Sequence, residues 1–585
     1  MKVSDYLIKY LEILGVNYIF GYTGGAVTHL IDSINKNSSV KFIQCYHEQA
    51  AAFSATAYAK YSRNLGVAIA TSGPGATNLI TGIADAYFDS SPTLFITGQV
   101  NTYNFKYEAN VRQKGFQETD IVSLVKPITK YSILIDDVNS VEKELKKAIC
   151  IALSGRKGPV LIDIPMDIQR QEIKICEKSF INDINSMKYE ISDRAIANIY
   201  NMIVNSKFPV ILSGGGSSLS NAKKNLIKLS EKLGIPVLVS LMGKDSFPHD
   251  HRNFAGYIGA YGNRYGNIVL SKSDFLLVVG SRLDSRQIGN NIEPFLSKKI
   301  AWVDIDNSEI EGSRIHPSEK IIADANDFLE KMLCYCSQRN KTYKNKDKFL
   351  KGIEILKNLF SPLSELDRDI KNKWHYEVMK IISDNLNEND TICVDVGQNQ
   401  MMAAQVIDIK ENQRFINGGG MAAMGYALPA GIAISIATGN RCVVIVGDGG
   451  LQMNIQELNM VSFYNLPIII IVFNNKSLGM IKQFQELYFN KNFAATDEKN
   501  GYKSCCFSKI AEAYGIDSVV INKESDLESR FNEIFGNSKL PILVEIEIDY
   551  QTFVYPKLEF DKPIDKISPY ITKKENEIIN NIFDF

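Results

Sequence analysis

The stretch VVIVGDGGLQMNIQEL, Val443 to Leu458, sets an aspartate among glycines at the end of an apolar run. A second run, PIIIIVFNN, Pro467 to Asn475, ends in two asparagines. In a parallel αβ arrangement both strands finish on one edge of the sheet, and ligands bind at that edge. Neighbouring strands lie roughly 4.8 Å apart, so the Asp448 carboxylate and the Asn475 amide oxygen can converge on one point. Two hard oxygen donors with open positions suit Mg²⁺, which completes its shell with phosphate oxygens and water. Gly449 and Gly450 carry no side chain to keep a phosphate from the backbone N–H groups that open the next helix. The pair therefore reads as a diphosphate site bridged by magnesium. For GDG alone, a turn whose aspartate merely caps a helix would be the better reading. The 24 residues between Gly449 and Asn474, with their second polar strand end, weigh against it.

Such strand ends need parallel sheets with helices on both faces, and the sequence alternates in that way three times. The first block includes NYIFGY, KFIQCY, GVAIATS and PTLFITG and closes with GPVLIDIP at Pro165; a polar linker is expected from Asp167 to about Lys188. The second includes PVILSGGG, DFLLVVGSR and KIAWVDID and ends near Cys336, before the Lys/Asn-rich SQRNKTYKNKDKFLKG. The third starts near Trp374 and includes TICVDVG, CVVIVGDG and LPILVEIEI. The expected organisation is α/β, three doubly wound parallel-sheet domains at residues 1–168, 188–336 and 371–550, with a polar tail at 551–585. The first and third blocks are similar enough in size and pattern to suggest duplication.

Composition narrows the partners. At 585 residues, 45% hydrophobic and 22% charged, the chain reads as a soluble, cytoplasmic, multidomain protein. Lys+Arg 65 against Asp+Glu 66 gives no electrostatic reason to expect nucleic acid or an anionic membrane. No apolar run is long enough to span a bilayer, and the N-terminus has no cleavable signal pattern. The nine cysteines lack C-x-x-C spacing and read as reduced thiols.

GDG, the gap and NN resemble the signature of thiamine diphosphate-dependent enzymes. FGYTGGAVTHLID, HEQAAAFSATAYA, TSGPGATNLITGIADAYFDSSPTLFITGQV, GFQETDIV, VDVGQNQMMAAQ, MAAMGYALPAGIA and NNKSLGMIKQFQ extend the resemblance to the acetohydroxyacid (acetolactate) synthases from about Asp5 to Tyr550. The three domains then resemble pyrimidine-binding, middle Rossmann-like and diphosphate-binding units. The resemblance implies that Glu48 hydrogen-bonds the cofactor's pyrimidine and promotes loss of the thiazolium C2 proton. An apolar surround at the start of a small-residue helix suits that role; taken alone, a glutamate satisfying the helix dipole is the simpler reading. Neighbouring His47 reads as structural. Met424 matches the side chain that bends the cofactor into a V. Gly25, beside Gly24, permits close approach. Gly397, Gln398, Gly447, Gly479 and Met480 join Gly449 and Gly450 as cofactor contacts, and the Ser477 backbone oxygen becomes the third metal ligand with Asp448 and Asn475. Asn399 replaces the family's usual histidine and Thr23 its usual proline. Because Glu48 and Asp448 come from different subunits in the family, a homodimer or homotetramer is implied.

The substrate side departs more. Phe116 and Gln117 match positions lining the reaction pocket, and Arg286 matches a substrate-contacting arginine. Ala260–Tyr261 stands where Met-His is usual, Ser285 replaces Asp, Phe484 replaces an entrance tryptophan, and the tail VYPKLEFDKPIDKISPYI differs. The family also keeps a non-redox FAD in its middle domain. Gly215, Arg282 and Asp304 are the residues that would hold FAD here, and the same features serve a Rossmann-like domain without flavin. Three functions follow from the resemblance: pyruvate decarboxylation with transfer to a second 2-oxo acid, transfer of the same unit to another carbonyl acceptor such as a keto-sugar nucleotide, or a non-catalytic relative. Intact Glu48, Asp448 and Asn475 oppose the third.

Overall fold

The computed structural model describes residues 1–36, 39–175, 189–367, 373–523, 525–536 and 539–584. The first sheet contains β1 (Tyr18–Gly21), β2 (Lys41–Gln44), β3 (Gly66–Ala70), β4 (Thr93–Gln99), β5 (Tyr131–Leu134) and β6 (Val160–Pro165), in the order 2-1-3-4-6-5. The middle sheet contains β7 (Pro209–Ser213), β8 (Val237–Val239), β9 (Phe254–Tyr257), β10 (Phe275–Val279), β11 (Lys299–Asp304) and β12 (Glu319–Ile322). Its order, β12-β11-β10-β7-β8-β9, is that of dinucleotide-binding folds read from the other side. The third sheet contains β13 (Thr391–Val394), β14 (Arg414–Asn417), β15 (Cys442–Gly447), β16 (Ile468–Asn474), β17 (Asp517–Ile521) and β18 (Ile542–Glu547), in the order 14-13-15-16-18-17. All three sheets are parallel α/β sheets, as the alternation predicts. Renumbered from its first strand, the third order is identical to the first, which supports the suspected duplication.

The central strands are apolar without alternation because helices cover both faces. All seven residues of β16, IIIIVFN, are buried. The first and third blocks share one core through two small-residue helices, Glu48–Ser62 and Ala427–Thr438. Ser54 Oγ donates to the Pro429 carbonyl at 3.1 Å, and the Phe53 and Tyr426 rings meet edge to face at 5.4 Å.

Three boundary expectations change. Asp167 lies in a short helix, Met166–Arg170, and its carboxylate accepts from the Thr102 N–H and hydroxyl; residues 176–188 of the expected linker lie outside the described residues. Part of the Lys/Asn-rich segment joins the middle core: Tyr343 is buried with its hydroxyl on the Gly234 carbonyl at 2.9 Å, and Lys346–Leu359 is a helix. The tail is also built. Strands β19 (Lys557–Leu558) and β20 (Ile567–Ser568) pair, and the helix Lys573–Phe583, opened by a Thr572–Glu575 capping box, sets Ile579 and Ile582 into the middle core. Among the described residues the cysteines are free, and no helix is long and apolar enough to cross a membrane.

Candidate active site

Strands β15 and β16 are parallel neighbours with Gly447 opposite Phe473, so Asp448 and Asn475 leave adjacent strand ends as their spacing predicts. Strand β13 flanks β15 on its other side and brings Gly397 and Gln398 to the same edge. Asp448 opens a helical turn, Asp448–Met453, and is 3% exposed. Burial pushes its carboxyl up to about 6, against donation from the Gly449 and Ser477 N–H groups and the Tyr502 hydroxyl. Its Oδ2 and the Ser477 Oγ are buried without hydrogen-bond partners among the described residues. A buried, partnerless carboxylate oxygen at a glycine turn fits a divalent cation with phosphate.

The two asparagines do different work. Asn475 Oδ1 accepts from the Ser477 N–H at 3.1 Å, and its Nδ2 donates to Gln398 Oε1 at 3.2 Å. Asn474 points the other way: its Nδ2 donates to Glu545 Oε1 at 2.7 Å, and its Oδ1 accepts from Ser504 Oγ at 2.9 Å. It thus anchors the loop that carries Tyr502. Gln398 is spent on protein, since its Nε2 also donates to the Thr552 carbonyl at 2.8 Å. Asn399, in the usual histidine's place, turns its Nδ2 back onto the Asp395 carbonyl at 2.7 Å, leaving Oδ1 toward Gly397 and Gly447. A Cβ on Gly449 would come within 2.7 Å of Leu478 and 3.1 Å of the Met424 methyl, so Met424 does reach the glycine turn. A Cβ on Gly450 would meet Asp395 at 2.7 Å, and one on Gly479 would strike Gln398. Met480 is half-buried, its Sδ 3.6 Å from the Tyr261 hydroxyl.

Glu48 begins its helix, 8% exposed, with Asn78 Nδ2 donating to its Oε2 at 2.9 Å. His47 caps that helix, its Nδ1 accepting from the Gln49 N–H at 3.0 Å. No hydrogen bond or ion pair joins Glu48 to Asp448 among the described residues. Around Gly25 a Cβ would meet open space, whereas one on Gly24 would strike Thr71. Phe116 is 85% exposed and Gln117 has φ +61°, in a loop organised by Glu118, a residue the sequence reading passed over. Burial favours protonation of Glu118, but N–H donation from Lys106, Lys114 and Gly115 outweighs it and holds the carboxyl below its ordinary value. Glu457 was also missed. It is the last residue but one of the opening motif yet reaches back across the chain, where its Oε1 accepts from the Tyr46 N–H at 3.0 Å, two residues before Glu48.

The carboxyl ends of all six middle strands open onto one cavity of about 220 Å³. Gly215, Met242, Ile258, Arg282, Asp304 and Asp324 line it, one following or ending each strand. Burial pushes the Asp304 carboxyl up to about 6. Arg286, Ala260 and Tyr261 line the same cavity, so the expected flavin and substrate residues are not separate sites. Phe484 lies elsewhere, 40% exposed beside Tyr488, Phe489 and Phe560.

Fold and site together define a thiamine pyrophosphate enzyme. The family's N-terminal TPP binding domain matches residues 1–124, its central domain 196–332 and its C-terminal TPP binding domain 395–546. The chain is 34% identical to the "Probable acetolactate synthase large subunit" of Methanococcus aeolicus, over 98% of this chain and 97% of that one. It is 36% identical to the protein of the same name from Methanocaldococcus jannaschii, over 94% and 92%. The "Acetolactate synthase large subunit" of Lactococcus lactis is 34% identical over 99% and 98%. The chain belongs to the acetolactate synthase large-subunit family of thiamine pyrophosphate enzymes.

Proposed function

We propose that this enzyme breaks the C1–C2 bond of pyruvate, releases CO₂ and joins the remaining two-carbon unit to the carbonyl carbon of an acceptor, whose oxygen takes a proton. With pyruvate as acceptor the product is acetolactate. The observation that carries the reading is the partnerless, buried Asp448 Oδ2 at a glycine turn, on a strand adjacent to the one that ends in Asn475. Bound thiamine diphosphate would supply a thiazolium carbon that adds to the 2-oxo acid and accepts the electron pair left by CO₂. Asp448, Asn475 and the Ser477 backbone oxygen are suited to hold Mg²⁺, while Gly449 and Gly450 leave backbone N–H groups open to the diphosphate. Glu48, steadied by Asn78, would offer its carboxyl to the bound cofactor's pyrimidine, and Met424, which reaches the Gly449 turn, would support the cofactor from below. Gly25, Phe116 and Gln117 would border the substrate.

The cavity at the middle sheet's carboxyl edge suits FAD, which Gly215, Arg282 and Asp304 would hold. The exposed Phe116, and the separation of Glu48 from Asp448 into different blocks, favour a homodimer or a larger assembly whose second copy completes the site. The cytoplasm suits its free thiols. A second reading, transfer to a keto-sugar nucleotide, is favoured by the tail: the Leu558 N–H donates to the Ala260 carbonyl at 2.7 Å, at the substituted Met-His position. Protein supplied with Mg²⁺, thiamine diphosphate and pyruvate should release CO₂, and adding each acceptor in turn should identify the ligated product by NMR. Absence of CO₂ under every condition would overturn the proposal.

A further inference from the structure

The chain from Thr552 to Leu558 runs between the third sheet and the middle domain and is held there by its backbone. Gln483 Nε2 donates to the Val554 carbonyl at 3.1 Å, Gln405 Nε2 to the Pro556 carbonyl at 3.2 Å, and Leu558 donates to Ala260. Two buried cations accompany this tail, and they differ. Arg264 is 1% exposed and fully engaged: Glu365 takes its Nε at 2.8 Å, and the carbonyls of Ile567 and Pro569 take its two terminal nitrogens. Lys557 is 7% exposed, and its ammonium lies 4.9 Å from the centre of the Tyr488 ring. Glu559, the carboxylate that acts on it, is engaged by the Tyr570 hydroxyl at 2.7 Å and forms no ion pair with it among the described residues. Burial lowers the Lys557 pKa, and the more distant Glu559 carboxylate opposes that only in part.

A buried cation that makes no direct ion pair is costly, and a ligand's anion in contact with it offsets that cost. The surroundings are open to one. Phe484, Tyr488 and Phe560 pack with ring centres 4.9 to 6.3 Å apart, yet each remains 39 to 58% exposed. The aromatic cluster beside Lys557 is therefore open to solvent on its outer side. Leu558, next in sequence, is bonded to Ala260, whose N–H donates to the Arg286 carbonyl at 2.8 Å.

We infer that Lys557 is an anion-binding residue on the acceptor side of the site, gripping the carboxylate or phosphate of the carbonyl compound that receives the two-carbon unit. The assignment rests on the carboligase reading above. It differs from the Arg286 expectation in naming a cation from the tail, a segment outside the matched domains.

The test sets acceptors against each other in one reaction. Pyruvate is the donor, 2-oxobutyrate or dihydroxyacetone phosphate the anionic acceptor, and acetaldehyde the neutral one. Lys557→Met should lower the anionic-to-neutral product ratio by roughly tenfold to a hundredfold, the loss of a charge-assisted hydrogen bond. Lys557→Arg should restore most of it, and the anion whose ratio falls further identifies the preferred group. An unchanged ratio in Lys557→Met, with or without a lower melting temperature, would show that Lys557 only braces the hairpin. A second readout needs no turnover: acylation of Lys557, followed by mass spectrometry, should be slowed by inorganic phosphate or 2-oxobutyrate. Absence of protection overturns the anion site, whereas protection in a protein that releases no CO₂ upholds the site and removes the carboligase reading instead.

Discussion

Replacing Glu457 by Gln tests how the first and third blocks are joined. Glu457 is fully buried, its two oxygens accepting from the Tyr46 N–H at 3.0 and 3.2 Å. Burial pushes its carboxyl from the ordinary 4.5 up to about 8. Between those values the folded protein keeps a proton that the unfolded chain has released, so stability falls as pH rises and the loss is complete above about 8. The change from 4.5 to about 8 corresponds to roughly 5 kcal/mol. Glutamine keeps an acceptor for Tyr46 and cannot ionise. Its amide leaves a pH-independent offset of about 1–3 kcal/mol where a donor goes unmatched. Asp163, Asp395 and Asp85, each pushed up to about 7 by burial, weaken both proteins alike as pH rises and cancel in the comparison. Urea midpoints measured from pH 5 to 9 at one protein concentration should therefore diverge, the variant gaining on the wild type by several kcal/mol toward pH 9. Parallel profiles would mean that Glu457 is ionised in the fold at neutral pH, and the account of this junction would be wrong.

Asp448→Ala should abolish retention of Mg²⁺ and thiamine diphosphate, read by isothermal titration, because the set of ligands loses its only carboxylate; unchanged affinity would refute the ligand assignment. Glu48→Gln keeps shape and burial, so cofactor affinity should persist while pyruvate turnover falls by about 10²–10⁴-fold. Near-normal turnover would assign activation to another group. Arg286→Ala should lower ligated product relative to CO₂ released if Arg286 meets the acceptor, and should lower both in parallel if it only braces the cavity it lines.

The strand ends were legible because they are set by the chain itself: an apolar run, then glycines at positions where a Cβ would collide, then a polar residue. Asp448 and Asn475 leave adjacent strand ends, and Met424 reaches the Gly449 turn. Glu457 was not legible, for its partner Tyr46 lies 411 residues away, and a glutamate in a helical turn has no local mark of its target. The tail misled for a related reason. Its two-residue strands have no periodicity to detect, and what orders them is Arg264, Gln405 and Gln483, residues from the middle and third blocks. Arg282 and Arg286, expected on the flavin and substrate sides respectively, have three residues between them and line one cavity.

The cofactor and acceptor halves of this site are built in physically different ways. Around Asp448 the work is done by backbone: turns at the ends of β13, β15 and β16, with Gly449, Gly450 and Gly479 fixed by what a Cβ would strike. A substitution there displaces the chain as well as a contact, so the arrangement tolerates little change. The proposed acceptor side lies on three distant segments, Ala260 to Arg286, Phe484 to Tyr488 and Lys557 to Phe560, held together by a few hydrogen bonds and ring contacts. Each segment can exchange a side chain while the sheets keep their register. Most departures from the family pattern, Ala260–Tyr261, Ser285, Phe484 and the tail, fall on these three segments, with Thr23 and Asn399 outside them, whereas Asp448 and Asn475 keep the family's residue types. That distribution is what the proposed decarboxylation with transfer to a different acceptor would require.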